Sequence, residues 1–326
     1  MKKGCLIVLI VLAVLVLGAV VAATMAARSA GAFASPVVSH DTVATPKTRL
    51  WLVVNPAPVL PILMPLIPTE IPDNQLPVAV NPQKWIEPFL PREVALMAAP
   101  NFATGKADLT LFVNEQRGGP TILKLALQQG LPAVPQIQWT GQGIELPERG
   151  NLQLRASMPI PDGVEEVLAE NWKQTPPSEP LRITGGHQVE AMLDNRNGDL
   201  LTLAAAVVQA TGNSWAEIFE QQKERIMPIL PGIHDIRLVA DLVDLNRATA
   251  VLRIDASEDS GMTLQFLLGM AWVQVVAGAE SKYGVTIKGE PMWDAEKGAL
   301  IANLDITGIE NHIRRAVAGR MAGAAS

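Results

Sequence analysis

The chain has 326 residues, with 26 basic against 32 acidic side chains, so its formal net charge near pH 7 is -6. An acidic balance of this kind disfavours a nucleic-acid surface and a face that binds anionic lipid, so no nucleic-acid partner is expected. Cys5 is the only cysteine, which excludes an intrachain disulfide and a cysteine metal cluster.

Residues 1–34 are predicted to form an N-terminal membrane anchor. Lys2 and Lys3 precede an uncharged run of 24 residues, Gly4–Ala27, which at about 1.5 Å per helical residue can cross a hydrocarbon core of about 30 Å. Positive charge before the run, with only Arg28 close behind it, predicts a cytoplasmic N-terminus and an extracytoplasmic main domain, periplasmic in a bacterium. We therefore expect a single-pass protein that contacts the lipid bilayer through residues 4–27.

A cleaved or uncleaved signal sequence is the alternative for the same segment. Ala32-Phe33-Ala34 before Ser35 fits the small-residue pattern of a cleavage site. The apolar run is longer than the roughly 7–15 residues of an ordinary signal peptide, which favours a retained anchor. Residues 35–48 are then a juxtamembrane linker.

The rest of the chain contains an internal repeat. The pattern Ile-x-Pro-x-Leu-Pro occurs at residues 86–91 and again at 226–231, and a similar order of hydrophobic periodicities follows each copy. We expect a tandem duplication, with a first α+β repeat over 49–174 and a second over 199–326. Residues 175–198 are predicted to be a linker and hairpin, with Asn195-Arg196-Asn197-Gly198 as the hairpin turn.

Alternating apolar and polar residues predict antiparallel strands in both copies. The predicted strands cover residues 50–54, 94–98, 109–113, 136–145 and 152–158 in the first copy, and 236–241, 252–256, 285–293 and 300–306 in the second. The fold class is therefore α+β: a transmembrane helix followed by two homologous halves, each an antiparallel sheet with helices packed on one face.

The predicted helices occupy equivalent places in the two copies. They cover residues 120–129 and 261–281, open after Gly163 and after Gly308, and begin at Ser214-Trp215-Ala216-Glu217, which is a capping box. Ten prolines between Pro56 and Pro91 exclude a helix interior there, so an extended loop or covering arm is expected.

Met262–Ala279 is an 18-residue run without a charge, which is long enough to be a membrane span. Gln265 and Gln274 interrupt it, and the equivalent helix of the first copy is short and charged. A buried helix that covers a sheet is the favoured interpretation, with a second membrane span as the alternative.

No serine-hydrolase signature is present, since the chain lacks Gly-x-Ser-x-Gly. The chain has four histidines, His40, His187, His234 and His312. Ser39-His40-Asp41 lies in the juxtamembrane linker and is too compact to be a triad by itself. Gly185-Gly186-His187 could place backbone amides beside an imidazole, but a turn at a strand end is the favoured interpretation.

Metal and phosphate sites have no clear signature either. His234-Asp235 with Asp241 and Asp244 falls at strand spacing, where alternate residues face opposite sides. Residues 194–199 resemble a calcium loop faintly but lack its spaced oxygen ligands and distal glutamate. We therefore assign no catalytic, cofactor-binding or metal residue, and we expect no cofactor.

The function expected from these patterns is a membrane-anchored, extracytoplasmic scaffold or accessory subunit that is not an enzyme and has a protein partner at the membrane. A carrier or binder of an apolar ligand such as lipid is the alternative. A hydrolase with dispersed site residues is a third hypothesis.

Overall fold

The computed structural model describes residues 44–66, 91–115, 138–145, 151–172 and 186–314. They form a mixed α+β fold in which antiparallel strands build one continuous sheet. The strands are β1 (Leu50–Val54), β2 (Pro91–Asn101), β3 (Lys106–Glu115), β4 (Gln138–Glu145), β5 (Asn151–Pro159), β6 (Val189–Asp194), β7 (Ile233–Leu242), β8 (Arg247–Ala256), β9 (Thr286–Lys288), β10 (Met292–Asp294) and β11 (Ala299–Thr307). The helices are α1 (Leu60–Leu63), α2 (Val164–Asn171), α3 (Asp199–Ala210), α4 (Trp215–Ile226) and α5 (Glu258–Gly278), and another helix begins at residue 310.

The strands follow the order β10-β11-β8-β7-β6-β1-β2-β3-β5-β4, with β9 also paired to β11. The middle of the sheet is the antiparallel pair β1 and β6, in which Leu52 lies opposite Ala191. Outward from this pair, the strands follow the same spatial order on both sides of the sheet. The order is β1-β2-β3-β5-β4 on one side and β6-β7-β8-β11-β10 on the other. β4 loses its register with β5 between Trp139 and Ile144, and the corresponding edge of the other side carries two short strands, β9 and β10.

One face of the sheet is covered by helices. Leu203, Ala206 and Ala210 of α3 pack on a cluster that includes Ala98 and Leu193. α2 and α4 pack against the other side of α3, where the rings of Trp215 and Phe219 stack with centroids 5.1 Å apart. Ile236 of β7 packs against both the α3 cluster and the α5 cluster, so α3 and α5 lie on the same face.

The opposite face differs between the two sides of the sheet. Around β1, β2 and β3 it is apolar and buried, with Trp51, Met97 and Phe112 in one cluster. On β7 and β8 the same face carries charged pairs, because Asp235 lies opposite Asp255 and Arg237 lies opposite Arg253. On β7 and β8, the apolar face toward the helices and the polar face away from them follow from the alternation of side chains along each strand.

Most predicted strands lie within observed ones, but the segment 285–293 divides into β9 and β10 around Gly289-Glu290-Pro291. Gly289 has φ +100°, and a Cβ there would lie 1.9 Å from the backbone oxygen of Asn303, so only glycine fits this break. The predicted anchor at residues 1–34 and the predicted helix at 120–129 lie outside the described residues.

Three expectations are wrong. Asn195–Gly198 does not form a hairpin turn, since it connects β6 to α3. β6 itself was not predicted and lies inside the segment interpreted as a linker, because buried Glu190 and Asp194 hide the strand alternation. The proline-rich segment is not extended where it begins, since it forms one helical turn, α1, and a 3-10 turn over Met64–Leu66; Pro61 lies in the first turn of α1, where proline is tolerated.

Candidate functional site

α5 is fixed to the sheet by one stripe of its surface. Leu264 and Leu268 pack against the cluster that contains Ile254 and Leu300. The side chain of Gln265 accepts a hydrogen bond of 2.6 Å from the backbone N–H of Trp293 in β10. At the next turns, the indole N–H of Trp272 donates a hydrogen bond of 2.9 Å to the carbonyl of Gly289. These four positions recur at helical spacing, so α5 has a defined face toward the sheet.

The N-terminal end of α5 lies especially close to the sheet. Gly261 is buried, and a Cβ at this position would lie 2.0 Å from the ring of Trp293. The missing side chain therefore lets the helix and the indole approach each other closely. The indole N–H of Trp293 is buried and has no hydrogen-bond partner.

The opposite side of α5 is apolar and exposed to solvent. We call the residues Met262, Phe266, Met270 and Val273 the α5 outer face. Phe266 is 67% exposed and Val273 is 70% exposed, and the other two side chains are also at least half exposed. Contiguous exposed apolar surface is common at sites where proteins contact other proteins or membranes, which makes this face the candidate interaction site of the described residues.

An open groove runs beside the α5 outer face. It has a volume of about 690 Å³ and is lined by Met262, Gln265, Phe266, Gly269, Met270, Val273 and Trp293. Gln265 supplies its one polar side chain among aliphatic, aromatic and sulfur-containing groups, apart from the unpaired indole N–H of Trp293. The volume lies in the range of small-molecule sites, but the groove is open to solvent rather than enclosed.

The helix from Glu258 to Tyr283 is long and apolar enough to cross a membrane, judged by length and composition. Its most apolar 18-residue window has a mean hydropathy of 1.5, and none of that window is buried. The sequence-based interpretation of a buried helix is therefore wrong in one respect. α5 does cover the sheet, but only through one stripe, and the lack of charge on its other side does not reflect burial.

His187 forms a pair with Asp241 that sequence analysis did not identify. Its Nδ1 lies 2.6 Å from Oδ2 of Asp241, whose Oδ1 accepts a hydrogen bond of 2.8 Å from the backbone N–H of Gln188. Burial alone would raise the pKa of the Asp241 carboxyl, but the hydrogen bonds from His187 and Gln188 outweigh it and hold that pKa below its usual value. The pairing of β6 with β7 brings the two residues together across 54 positions of sequence.

This pair is not arranged as an oxyanion site. Gly186 has φ +131° and forms the turn that leads into β6, as a glycine can. The backbone N–H of His187 donates a hydrogen bond of 3.1 Å to Oε1 of Glu190. This N–H is therefore already bonded to a carboxylate and is not free to bind an oxyanion. The turn interpretation therefore fits the structure better than the oxyanion interpretation.

The other histidines lie apart from this pair. His234 is exposed at the start of β7. His312 approaches the carbonyl of Tyr283 with Nε2 at 2.8 Å, and its ring packs edge-on against that tyrosine. His40, with Ser39 and Asp41, lies outside the described residues.

The three carboxylates weighed as metal ligands have other partners. Asp235 pairs with Arg237, Asp241 with His187, and Asp244 with the backbone N–H of Asn246. Among the residues that the structure describes, no group of three or more His, Cys, Asp or Glu side chains is placed to hold a metal ion.

The segment 194–199 forms a charged cluster and not a ring of oxygen ligands. Both carboxylate oxygens of Asp194 accept hydrogen bonds from Arg196, at 2.8 and 2.6 Å. Burial would raise the pKa of Asp194, but these bonds lower it overall. Asp199 is only 6% exposed, and Oδ2 lies 3.6 Å from Nε of Arg49 without a hydrogen bond. Its burial raises the pKa of Asp199 to about 7, although Arg49 opposes the shift.

No protein-family model matches the chain, and no curated protein sequence matches it. Among solved structures, the chain is similar to TP0453 in its crystal form I, with 12% sequence identity and a TM-score of 0.29, over 83% of this chain and 94% of that chain. A likeness this distant does not carry function from one protein to the other.

Proposed function

We propose that the protein is a membrane-anchored, extracytoplasmic scaffold or accessory subunit that catalyses no reaction. The observation that supports this proposal best is the α5 outer face, an exposed apolar surface available for contact with another protein or with the membrane, on a domain whose sheet has helices packed on one face. An interaction surface without a clustered set of reactive groups is typical of a binding or scaffolding protein.

The anchor and its direction are part of the same proposal. Gly4–Ala27 crosses the membrane, with Lys2 and Lys3 on the cytoplasmic side and residues 35–326 outside. A reporter that is active only in the cytoplasm, fused after residue 326, is expected to be silent. Activity there would contradict both the orientation and the single span, because a second span at α5 returns the C-terminus to the cytoplasm.

We also propose that the domain arose by tandem duplication. The support is the identical strand order outward from β1 and β6, together with the repeated Ile-x-Pro-x-Leu-Pro pattern before β2 and before β7. In this arrangement β1 corresponds to β6, so the second half begins before β6, earlier than the sequence pattern predicts. Superposition of the two halves in an experimental structure tests the proposal, and a different chain path between equivalent strands would contradict it.

The absence of catalysis is tested by genetic rescue. The double variant carries His187→Ala and His234→Ala. It removes the imidazole that pairs with Asp241 and the exposed imidazole at the start of β7. In a deletion strain with a phenotype, we expect this variant to restore the wild-type state at normal protein abundance. Loss of rescue by a folded double variant would indicate an active site and overturn the proposal.

A carrier of an apolar ligand is the second candidate, and the groove beside Trp293 favours it. Mass spectrometry of lipids extracted from the purified protein separates the two candidates. A stoichiometric lipid that is lost in the groove-filling variant Gly269→Phe would favour the carrier over the scaffold. Lipid in equal amount in both proteins would indicate carry-over from the membrane.

A further inference from the structure

We propose that the α5 outer face lies on the lipid bilayer, in the interfacial region, while α5 stays packed on the sheet. The inference rests on the proposed function, because it takes the anchor Gly4–Ala27 as inserted in the same membrane. It adds an occupant for the apolar face and an orientation for the domain.

The distribution of charge along α5 favours lipid over a protein partner. Residues 260–279 carry no charged side chain, and the charges lie only at the ends, at Glu258 and Asp259 and at Glu280 and Lys282. At about 1.5 Å per residue the uncharged part is about 30 Å long. Protein interfaces carry a polar rim around a smaller apolar core, whereas a helix in the membrane interface exposes one long apolar side.

The contacts of α5 with the sheet distinguish a helix that lies on the membrane from one that spans it. Gln265 and Trp272 each make a hydrogen bond to the segment that carries β9 and β10, and Leu264 and Leu268 pack on β8 and β11. Crossing the bilayer would break these contacts. Lying flat keeps them and buries Phe266 and its neighbours, which are already exposed.

The tether permits this position. Residues 28–43 separate the apolar run from the first described residue, and 16 residues span at most about 55 Å. β1, near the start of the domain, is three strand positions from β8, which is about 15 Å at the usual strand spacing. The anchored domain therefore remains within reach of the bilayer surface, at a high effective concentration.

The charges at the ends of α5 also indicate how its binding should depend on the charge of the lipid headgroups. Two acidic residues at one end and one residue of each sign at the other give no basic patch for anionic headgroups. Binding driven by apolar burial is expected not to increase when anionic lipid is added to phosphatidylcholine vesicles, because the chain has a net charge of -6 and α5 offers no basic patch.

The experiment measures membrane depth at position 266 in the full-length chain. Phe266→Cys is introduced into a Cys5→Ser background, labelled with a small fluorophore and reconstituted in phosphatidylcholine vesicles that contain brominated lipid. A label at Asn303→Cys, an exposed position of β11 on the sheet face away from the helices, is the control. We expect at least a two-fold loss of fluorescence at position 266 and less than a tenth of that loss at position 303.

A second variant separates contact with lipid from the presence of the anchor. Met270→Glu with Val273→Glu places two charges on the α5 outer face, and Gln221→Glu with Gln222→Glu adds the same charge to exposed positions of α4. All four side chains are exposed, so both variants are expected to melt cooperatively near the wild-type temperature. Quenching at position 266 should disappear in the α5 variant and remain in the α4 variant.

Other outcomes overturn the inference. Unquenched label at position 266, in vesicles that retain the protein through flotation, shows that the face does not touch lipid and leaves the proposed anchor intact. Cross-linking between two copies through position 266 shows that a second copy covers the face. Failure of the wild-type chain to float with the vesicles contradicts the proposed anchor itself.

Discussion

The side-chain amide of Asn195 donates a hydrogen bond of 3.0 Å to the carbonyl of Ile233, the first residue of β7. The same amide donates to the carbonyl of Leu230, and its oxygen accepts from the backbone N–H of Leu200 in α3. Asn195 is fully buried, so one side chain joins the end of β6, the start of α3 and the start of β7.

Asn195→Ala is therefore expected to lower the free energy of unfolding by about 2–3 kcal/mol, because the backbone groups of Leu200, Leu230 and Ile233 each lose a hydrogen bond to a fully buried side chain. Asn213→Ala is the control, since this asparagine is exposed and its side chain bonds to the exposed Thr211, and a change below about 0.5 kcal/mol is expected. Urea denaturation measures both. Equal effects in the two variants would show that Asn195 does not join these elements.

A second prediction concerns the close contact of α5 with Trp293. Gly261→Ala places a methyl group 2.0 Å from the indole ring, so we expect a loss of about 1–3 kcal/mol as the helix end moves away. Gly269→Ala adds the same methyl group on the same helix where no atom lies within 4 Å. There, the higher helix propensity of alanine should stabilise the protein by up to about 1 kcal/mol. Thermal melts of the pair check the opposite signs, and stabilisation by both changes would contradict the contact.

The sequence predicts much of the sheet because period-two alternation survives wherever one face is apolar. Leu252, Ile254 and Ala256 in β8 are an example, since they alternate with Arg253 and Asp255 and all three point toward the helices. The α4 start was also predicted, and Ser214 does accept a hydrogen bond from the backbone N–H of Glu217, at 3.4 Å.

The features that sequence did not predict depend on tertiary partners. β6 carries buried Glu190 and Asp194, whose partners are His187 and Arg196, and no periodicity shows such pairing in advance. In α5 every side is apolar, so the pattern could not distinguish the stripe that packs on the sheet from the face that is exposed. The His187–Asp241 pair follows from the register of β6 and β7, which could be inferred only after β6 is recognised.

A third prediction tests the contact between the two sides of the sheet. Trp51 of β1 lies opposite Met192 of β6, and both side chains are buried in one cluster. Trp51→Phe and Met192→Ala are each expected to cost about 1–3 kcal/mol. Because the side chains touch, the double variant should show a coupling free energy of about 0.5 kcal/mol or more.

The control for this double-mutant cycle is a second cycle that combines Trp51→Phe with Leu300→Ala. Leu300 is equally buried but belongs to the α5 cluster, so the two effects should add within about 0.5 kcal/mol. Chemical denaturation of all the variants gives the two cycles. Additivity in the Trp51 and Met192 cycle would show that β1 and β6 do not pack through these residues.

The last prediction concerns the dependence of stability on pH. Burial raises the pKa of Asp199 to about 7 in the folded state, against an ordinary value near 4 in the unfolded chain. Between these values the folded state holds a proton that the unfolded state has lost, so the contribution of Asp199 is fully present below about pH 4 and is lost as the pH rises toward 7. Because the folded and unfolded pKa values of Asp199 differ by about three, the free energy of unfolding lost in this way is at most about 4 kcal/mol. Asp199→Asn, which keeps the shape but cannot ionise, should therefore become more stable relative to wild type as the pH rises from 4 to 7. Urea denaturation at intervals of one pH unit measures the difference in the free energy of unfolding between Asp199→Asn and wild type. If this difference stays constant from pH 4 to pH 7, Asp199 is already ionised in the folded protein and is held by Arg49.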